Sequence, residues 1–222
     1  MPKKAKFYIT AVTALGLTLL AASLASESSL PHWPRYLAYL ALAAIASTLK
    51  VRLPRIQGTI SVNFLFLLLG IAQLTLFETL GLGCLSTVIQ CLWKAKKRPQ
   101  FIQVQFNVCA LVVSISAAWA ASRALTPVVS LPIVMALAAS LLFVANTVLV
   151  SLVLALLKDE PLSRVWRHCY LWTFPYYLVG AVIAGSICVS SHSIGWAPSL
   201  MILPLMYLVY SYYRFFLASR TE

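Results

Sequence analysis

The chain has 222 residues, of which 61% are hydrophobic and 10% are charged, and its mean hydropathy is +0.89. Soluble domains carry roughly 45–50% apolar residues, so this composition excludes a soluble globular enzyme, and it also excludes an intrinsically disordered chain. The net charge is +12, but the basic residues lie in short clusters between apolar runs, as in the loops of membrane proteins. We therefore expect a protein whose main partner is the lipid bilayer, with no nucleic-acid partner.

Apolar segments separated by proline, glycine and charge predict eight membrane-spanning helices. A spanning helix needs about 20 residues, whereas the run 60–93 would be about 51 Å long as one helix. We expect this run to form two short helices with a break around Thr75 to Glu78; seven spans are the alternative if the pair is re-entrant. The fold class is then an all-α, polytopic helical bundle in one domain, 1–222. The predicted spans are 7–26, 36–49, 60–75, 78–93, 101–125, 132–157, 170–190 and 199–217.

The basic residues test this topology, because each span moves the next loop to the other side of the membrane. With the N-terminus inside, all but two of the 17 Lys and Arg residues fall in cytoplasmic segments, and the exceptions are Arg35 and Arg123. This segregation predicts that both termini are cytoplasmic and that the protein lies in the bacterial inner membrane. Three lysines before the first apolar run also resemble a secretory signal, so cleavage of that span is an alternative. The expected patch for anionic lipid headgroups is Lys94, Lys96, Lys97 and Arg98.

Catalytic and metal-binding motifs are not found in the sequence. The five cysteines, five acidic residues and three histidines include no set at the spacing of metal ligands and no paired carboxylates on one predicted span. Phosphate-binding loops, nucleophile elbows and HExxH motifs are also missing from the sequence. The odd number of cysteines, all within or at the ends of apolar spans, predicts small buried side chains rather than disulfides. We expect a protein that is not an enzyme and holds neither a metal nor a cofactor.

Amide side chains inside apolar runs are the strongest functional signal, because a buried amide in lipid is costly unless it pairs or lines a cavity. One interpretation is that these amides hydrogen-bond across helices and hold the bundle together. The other is a polar cavity between the third, fifth and sixth spans that binds a small molecule. Glu78 is expected to be a water-facing carboxylate at the outer boundary. The candidate ligand-binding residues are Asn63, Gln105, Asn107 and Asn146.

The seventh span carries small residues at helical spacing beyond Pro175, which should kink the helix. Small residues four positions apart are typical of close contact between membrane helices. Packing within the chain is the first interpretation, and the seam of a homodimer is the second. The residues of this face are Gly180, Ala181, Ala184 and Gly185.

Several sequence segments resemble one family of bacterial signalling proteins. These segments are Gly58–Gly70, Gln90–Pro99, Gln103–Asn107, Phe143–Thr147, Trp166–Gly180 and Leu203–Tyr210. From Lys50 onward the chain resembles the MASE-type membrane-associated sensor region that precedes GGDEF or HD-GYP output domains. The resemblance implies a sensory input module whose last helix continues into a cytoplasmic domain for cyclic di-GMP turnover. The sequence ends at Glu222 without such a domain, so we expect a stand-alone relative or the membrane part of a longer protein.

Three functions are compatible with these patterns. The leading hypothesis is a non-enzymatic sensor, in which a small molecule or a membrane state shifts the last span and acts on a cytoplasmic partner or output domain. The alternative is a small-molecule transporter or substrate-capture subunit, because a polar pocket among short paired helices would also serve transport. The third is a structural membrane protein in which every buried amide is a packing contact.

Overall fold

The computed structural model describes residues 1–27, 32–52, 59–61, 63–95, 98–169, 174–194 and 211. The helices are α1 (Lys3–Ala25), α2 (Trp33–Thr48), α3 (Phe64–Gln73), α4 (Leu76–Leu92), α5 (Phe101–Leu125), α6 (Leu131–Lys158), α7 (Leu162–Cys169) and α8 (Phe174–Ile194). One short antiparallel strand pair joins β1 (Lys50–Arg52) to β2 (Thr59–Ser61), with Val51 opposite Ile60. The helical fold class is confirmed. The predicted eighth span, 199–217, lies outside the described residues except at position 211.

Three of these helices, α1, α5 and α6, are long and apolar enough to cross a membrane. Helices α3 and α4 and the segment Tyr177–Ser190 of α8 are apolar but shorter. Large apolar side chains also lie exposed on the outside of the bundle, among them Phe7, Leu15, Leu137 and Val182. Lipid tails solvate such a surface as well as a protein core does. These features support a helical membrane protein.

The 60–93 run forms two helices, and the chain leaves helical geometry at Leu74 and Thr75. Thr75 is the N-cap of α4 and makes a capping box with Glu78. The threonine hydroxyl oxygen accepts from the Glu78 backbone N–H at 3.2 Å, and the Glu78 carboxylate accepts from the Thr75 backbone N–H at 3.0 Å. Helix α3 has ten residues, so it is about 15 Å long, about half the thickness of a bilayer core.

Helices that follow one another in the chain, from α1 to α6, alternate in direction. Asn107 near the start of α5 contacts Cys91 at the end of α4, and Trp119 near the end of α5 contacts Leu74 just before α4. Helix α3 ends at that same level and therefore runs parallel to α5. Helix α8 also runs parallel to α3, because Tyr177 near its start packs on Phe64 and Cys188 near its end contacts Gln73.

The two ends of the bundle differ in charge. We call the end at which α1, α5 and α8 start, and toward which the start of α3 is directed, the basic end, and the opposite end the distal end. The exposed basic residues described at the basic end are Lys3, Lys4, Lys6, Lys94, Arg98, Lys158, Arg164 and Arg167. Arg35 at the start of α2 and Arg123 at the end of α5 lie at the distal end. The fold therefore separates basic residues along its axis as the positive-inside pattern requires.

The core is centred on α3. Every residue from Phe64 to Ile71 is buried, and α2, α4, α5, α6 and α8 all contact this helix. A second, smaller cluster joins α1 to α5 and α6 through Ile9, Phe106 and Val153. Helix α1 approaches α5 closely at Gly16, where a Cβ atom would lie 2.6 Å from Cys109 Cβ. A larger residue there would force α1 away from the bundle.

Helix α7 and the strand pair were not predicted from the sequence. The sequence places 158–169 in a loop between the sixth and seventh spans, whereas Leu162–Cys169 is helical. The seventh span, predicted at 170–190, corresponds to α8. Val165 of α7 is buried and Arg164 and Arg167 are exposed, so this short helix is amphipathic and turns its apolar side to the bundle.

Candidate functional site

A set of polar contacts surrounds the break between α3 and α4 at the distal end. The Leu74 carbonyl accepts hydrogen bonds from Arg123 Nη2 at 3.0 Å and from Trp119 Nε1 at 3.3 Å. The next backbone N–H, of Thr75, donates to the Glu78 carboxylate at 3.0 Å. The carbonyl and this N–H belong to one peptide group. A single peptide thus connects a guanidinium to a carboxylate.

These contacts compensate for the end of α3. The last carbonyls of a helix have no partner within the helix, and in a membrane each unsatisfied group costs several kcal/mol. Arg123 and Trp119 supply donors to the Leu74 carbonyl. The Arg123 guanidinium also lies 5.1 Å from the centre of the Trp119 ring, a cation–π contact that helps to position it. Trp119 therefore acts both as a donor and as a support for the arginine.

Glu78 is the residue for which the sequence prediction was wrong. It was expected to face water, but it is 2% exposed. Its carboxylate folds back onto the first turn of its own helix, where backbone N–H groups and the helix dipole stabilise negative charge. The carboxylate is therefore part of the helix break and not of the water-facing surface.

Gln73, the last residue of α3, connects two further helices to this break. The Tyr39 hydroxyl of α2 donates to Gln73 Oε1 at 2.8 Å, and Gln73 Nε2 donates to Cys188 Sγ of α8 at 3.4 Å. Tyr39 is fully buried. For Gln73, the structure supports the interpretation that amides hold helices together. We call the whole set the distal polar cluster: Tyr39, Gln73, Leu74, Thr75, Glu78, Trp119, Arg123 and Cys188.

The predicted ligand-binding residues lie away from this cluster, toward the basic end. Asn63 is 6% exposed and precedes α3, and Asn107 Nδ2 donates to Cys91 Sγ at 3.6 Å. Leu67 of α3 and Leu111 of α5 both lie close to Gly83 of α4. Asn63 and Asn107 each precede one of these leucines by one helical turn, so the two amides occupy a similar level of the bundle.

Gln105 on α5 and Asn146 on α6 are partly buried. Because α5 and α6 are antiparallel neighbours, Asn146 lies at a level near that of Asn107. The cavity between these amides remains a prediction.

The small-residue face of α8 packs within the chain. A Cβ atom at Gly180 would overlap the Phe64 ring of α3, and one at Gly185 would lie 3.8 Å from Met135 Cγ of α6. Ala181 and Ala184, on the same face, are buried. A homodimer formed through this face would have to open these contacts.

A group of aromatic rings surrounds the start of α3. The Phe143 ring centre lies 6.4, 5.2 and 5.0 Å from those of Trp166, Phe174 and Tyr177, respectively. The Tyr177 ring lies 4.7 Å from Phe64 at the start of α3. We call these five residues the aromatic cluster. Helix α3 therefore connects the aromatic cluster at one of its ends to the distal polar cluster at the other.

The expected headgroup patch is described only in part. Lys94 follows α4 with a positive φ of 44° and is exposed, as is Arg98. Lys96 and Lys97 lie outside the described residues. The two described positions are at the basic end, where a headgroup patch would have to be.

Comparison with known proteins gives no match to a family model, to a curated protein or to a solved structure. Across the described parts of the chain, no group of three or more His, Cys, Asp and Glu side chains is arranged to hold a metal ion. The resemblance to MASE-type sensor regions therefore stays a prediction.

Proposed function

We propose that the protein is a non-enzymatic sensory module of the bacterial inner membrane, multi-pass, with both termini in the cytoplasm. In this proposal the distal polar cluster receives a stimulus and α3 carries it toward the basic end, as far as the aromatic cluster. The observation that supports it is the position of α3, which is buried on all sides and joins the polar cluster to α8 and the aromatic cluster.

The first step is a change at the α3–α4 break. Arg123 is exposed, so a small anionic molecule can reach its guanidinium and compete with the Leu74 carbonyl for it. Carboxylates and phosphates are stronger acceptors for a guanidinium than a neutral carbonyl is. Binding would remove one donor from the end of α3 and bias the break toward a second arrangement.

The second step is transmission through α3. Gln73 contacts Cys188 near the end of α8, and Phe64 contacts Tyr177 near its start. A displacement of α3 therefore acts on α8 at two levels, as expected of a rigid element placed between two sites. Helix α8 leads to the last predicted span. The resemblance to MASE-type regions suggests that this span acts on a cytoplasmic output domain or partner for cyclic di-GMP turnover.

Hydrogen–deuterium exchange of the full chain in detergent micelles tests this coupling. Arg123→Met should raise exchange at the break, residues 73–80, and also at the start of α8, residues 174–180. Arg35→Met is the matched control, because Arg35 is another distal arginine that lies outside the polar cluster. Faster exchange confined to the break and to the end of α5 would contradict the proposal.

A carrier is the second candidate, and the break in the 60–93 run favours it, because interrupted helices often form substrate sites in transporters. Native mass spectrometry of the purified chain would identify a retained non-lipid molecule. Uptake of that molecule by vesicles containing the protein would favour the carrier. Binding without uptake would favour the sensor.

A further inference from the structure

We infer that α7 is an interfacial helix that binds anionic phospholipid headgroups through Arg164 and Arg167. This surface lies at the basic end and does not depend on the sensory function proposed for the distal polar cluster.

Helix α7 has an amphipathic pattern. Leu162, Val165 and Trp166 recur at the spacing of one helix face, and Val165 is 6% exposed. Arg164 and Arg167 are one turn apart and both are exposed. The apolar side of α7 packs on the bundle, so its basic outer side is free to contact anionic headgroups.

Trp166 attaches α7 to the bundle. The Trp166 indole N–H donates to Thr147 Oγ1 of α6 at 3.0 Å, and its ring packs near Phe143. These contacts fix the rotation of α7 about its axis. The two arginines are therefore held outward and are not free to turn toward the core.

The surroundings of α7 identify a lipid surface as the occupant. Leu157, which precedes α7 in the chain, and Val179, which follows it, are exposed apolar residues. The helices that flank α7 in the sequence therefore both present lipid-facing surface. Exposed acids near the arginines are Asp159 and Glu160 at the start of the segment. The exposed Lys and Arg residues of the basic end outnumber these two acids. Arginines beside a lipid-facing belt complement the anionic leaflet of a membrane better than a soluble acidic protein.

The experiment uses the full chain in nanodiscs of phosphatidylcholine, with and without phosphatidylglycerol. Hydrogen exchange of residues 162–169 and the number of phosphatidylglycerol molecules retained in native mass spectra are measured. Added phosphatidylglycerol should slow exchange in α7. The variant R164Q/R167Q should lose this protection and bind phosphatidylglycerol about thirtyfold more weakly. Each single variant should bind it about fivefold more weakly.

The control variant is K3Q/K4Q, which removes the same charge from the same end but from α1. It should leave the protection of α7 unchanged and weaken phosphatidylglycerol binding less than twofold. Both double variants should unfold at the same temperature as the unaltered chain in phosphatidylcholine, because neither changes a buried side chain. Equal weakening by the two double variants, or equal protection of α7 in both lipid mixtures, would overturn the proposal.

Discussion

Hydrogen bonds hold the C-terminal end of α3, whereas ring packing holds its N-terminal end. Gln73 and Leu74 bond to groups on α2, α5 and α8, and one of the donors, Arg123, is exposed. Phe64, in contrast, is 4% exposed and fits between Tyr177 and Gly180. An exposed donor can be taken by a competing ligand, but a packed ring cannot. The distal end of α3 is therefore suited to receive a signal, and the aromatic end is suited to transmit it.

The largest loss of stability should come from removing the Phe64 ring at the N-terminal end of α3. Phe64→Ala should lower the free energy of unfolding by about 3–5 kcal/mol, because it leaves a cavity against Tyr177 and Gly180. Unfolding by sodium dodecyl sulfate in mixed micelles measures this. The matched control is Phe101→Ala, since Phe101 is 81% exposed and its removal should cost less than about 0.5 kcal/mol. Similar losses in the two variants would show that the Phe64 ring is not a special packing contact.

Adding a methyl group to the contact between α8 and Phe64 should give the next largest loss of stability. Gly180→Ala places a methyl group against the Phe64 ring and should cost about 1–3 kcal/mol. Gly185→Ala lies on the same face of α8, but its methyl group would be at ordinary contact distance from Met135. It should therefore be neutral or stabilising in the same titration. An unchanged free energy of unfolding for Gly180→Ala would show that α8 and α3 are not in close contact at Phe64.

The polar end should be less costly to disturb. Arg123→Met should lower the free energy of unfolding by about 1 kcal/mol, because Trp119 still donates to the Leu74 carbonyl. Arg123→Lys keeps a donor and should recover part of this loss. A loss as large as that of Phe64→Ala would mean that the distal end is also a rigid structural contact.

The contact between α7 and α6 should be weaker still. Trp166→Phe removes the N–H that binds Thr147, at a cost of about 0.5–1 kcal/mol, since the Thr147 hydroxyl keeps its bond to the Phe143 carbonyl. A double-mutant cycle with Thr147→Val isolates the pair. The Trp166→Phe substitution should cost almost nothing when Thr147 is already valine. Full additivity in the cycle would contradict the hydrogen bond.

The smallest effect on stability should come from Asn107→Ala. Its contact with Cys91 is a long bond to sulfur, and amide contacts between membrane helices average about 0.6 kcal/mol. If Asn107 lines a ligand cavity, the variant should lose a bound small molecule in native mass spectra while its unfolding changes little. A loss of stability above about 2 kcal/mol would favour the packing interpretation for this amide.

Local signals in the sequence predicted much of the helical fold. The lengths of α5 and α6 follow from uninterrupted apolar runs, and the break before α4 follows from the polar residues Thr75 and Glu78. The same two residues form a capping box, a pattern that sequence alone can indicate. The amphipathic spacing of Leu162, Val165 and Trp166 was also available, but eight residues are too few to stand out between two long apolar segments.

The distal polar cluster could not be predicted in the same way. Arg123 lies 49 residues from Leu74 and binds its backbone carbonyl, a group that every residue carries. Glu78 was placed at the surface because a lone acid suggests exposure, whereas its partner is the backbone of its own helix. The amides Asn63 and Asn107 were visible in the apolar runs, but their side-chain type does not say which helix they face.

The short length of α3 has a consequence for biogenesis. Ten residues cannot span the hydrocarbon core, so α3 is not a segment that the insertion machinery can release into lipid by itself. Its buried surface is covered in part by α5, α6 and α8, all of which are synthesised later. The order of assembly therefore differs from the order of translation, because α3 is fully enclosed only after the C-terminal half of the bundle has been made.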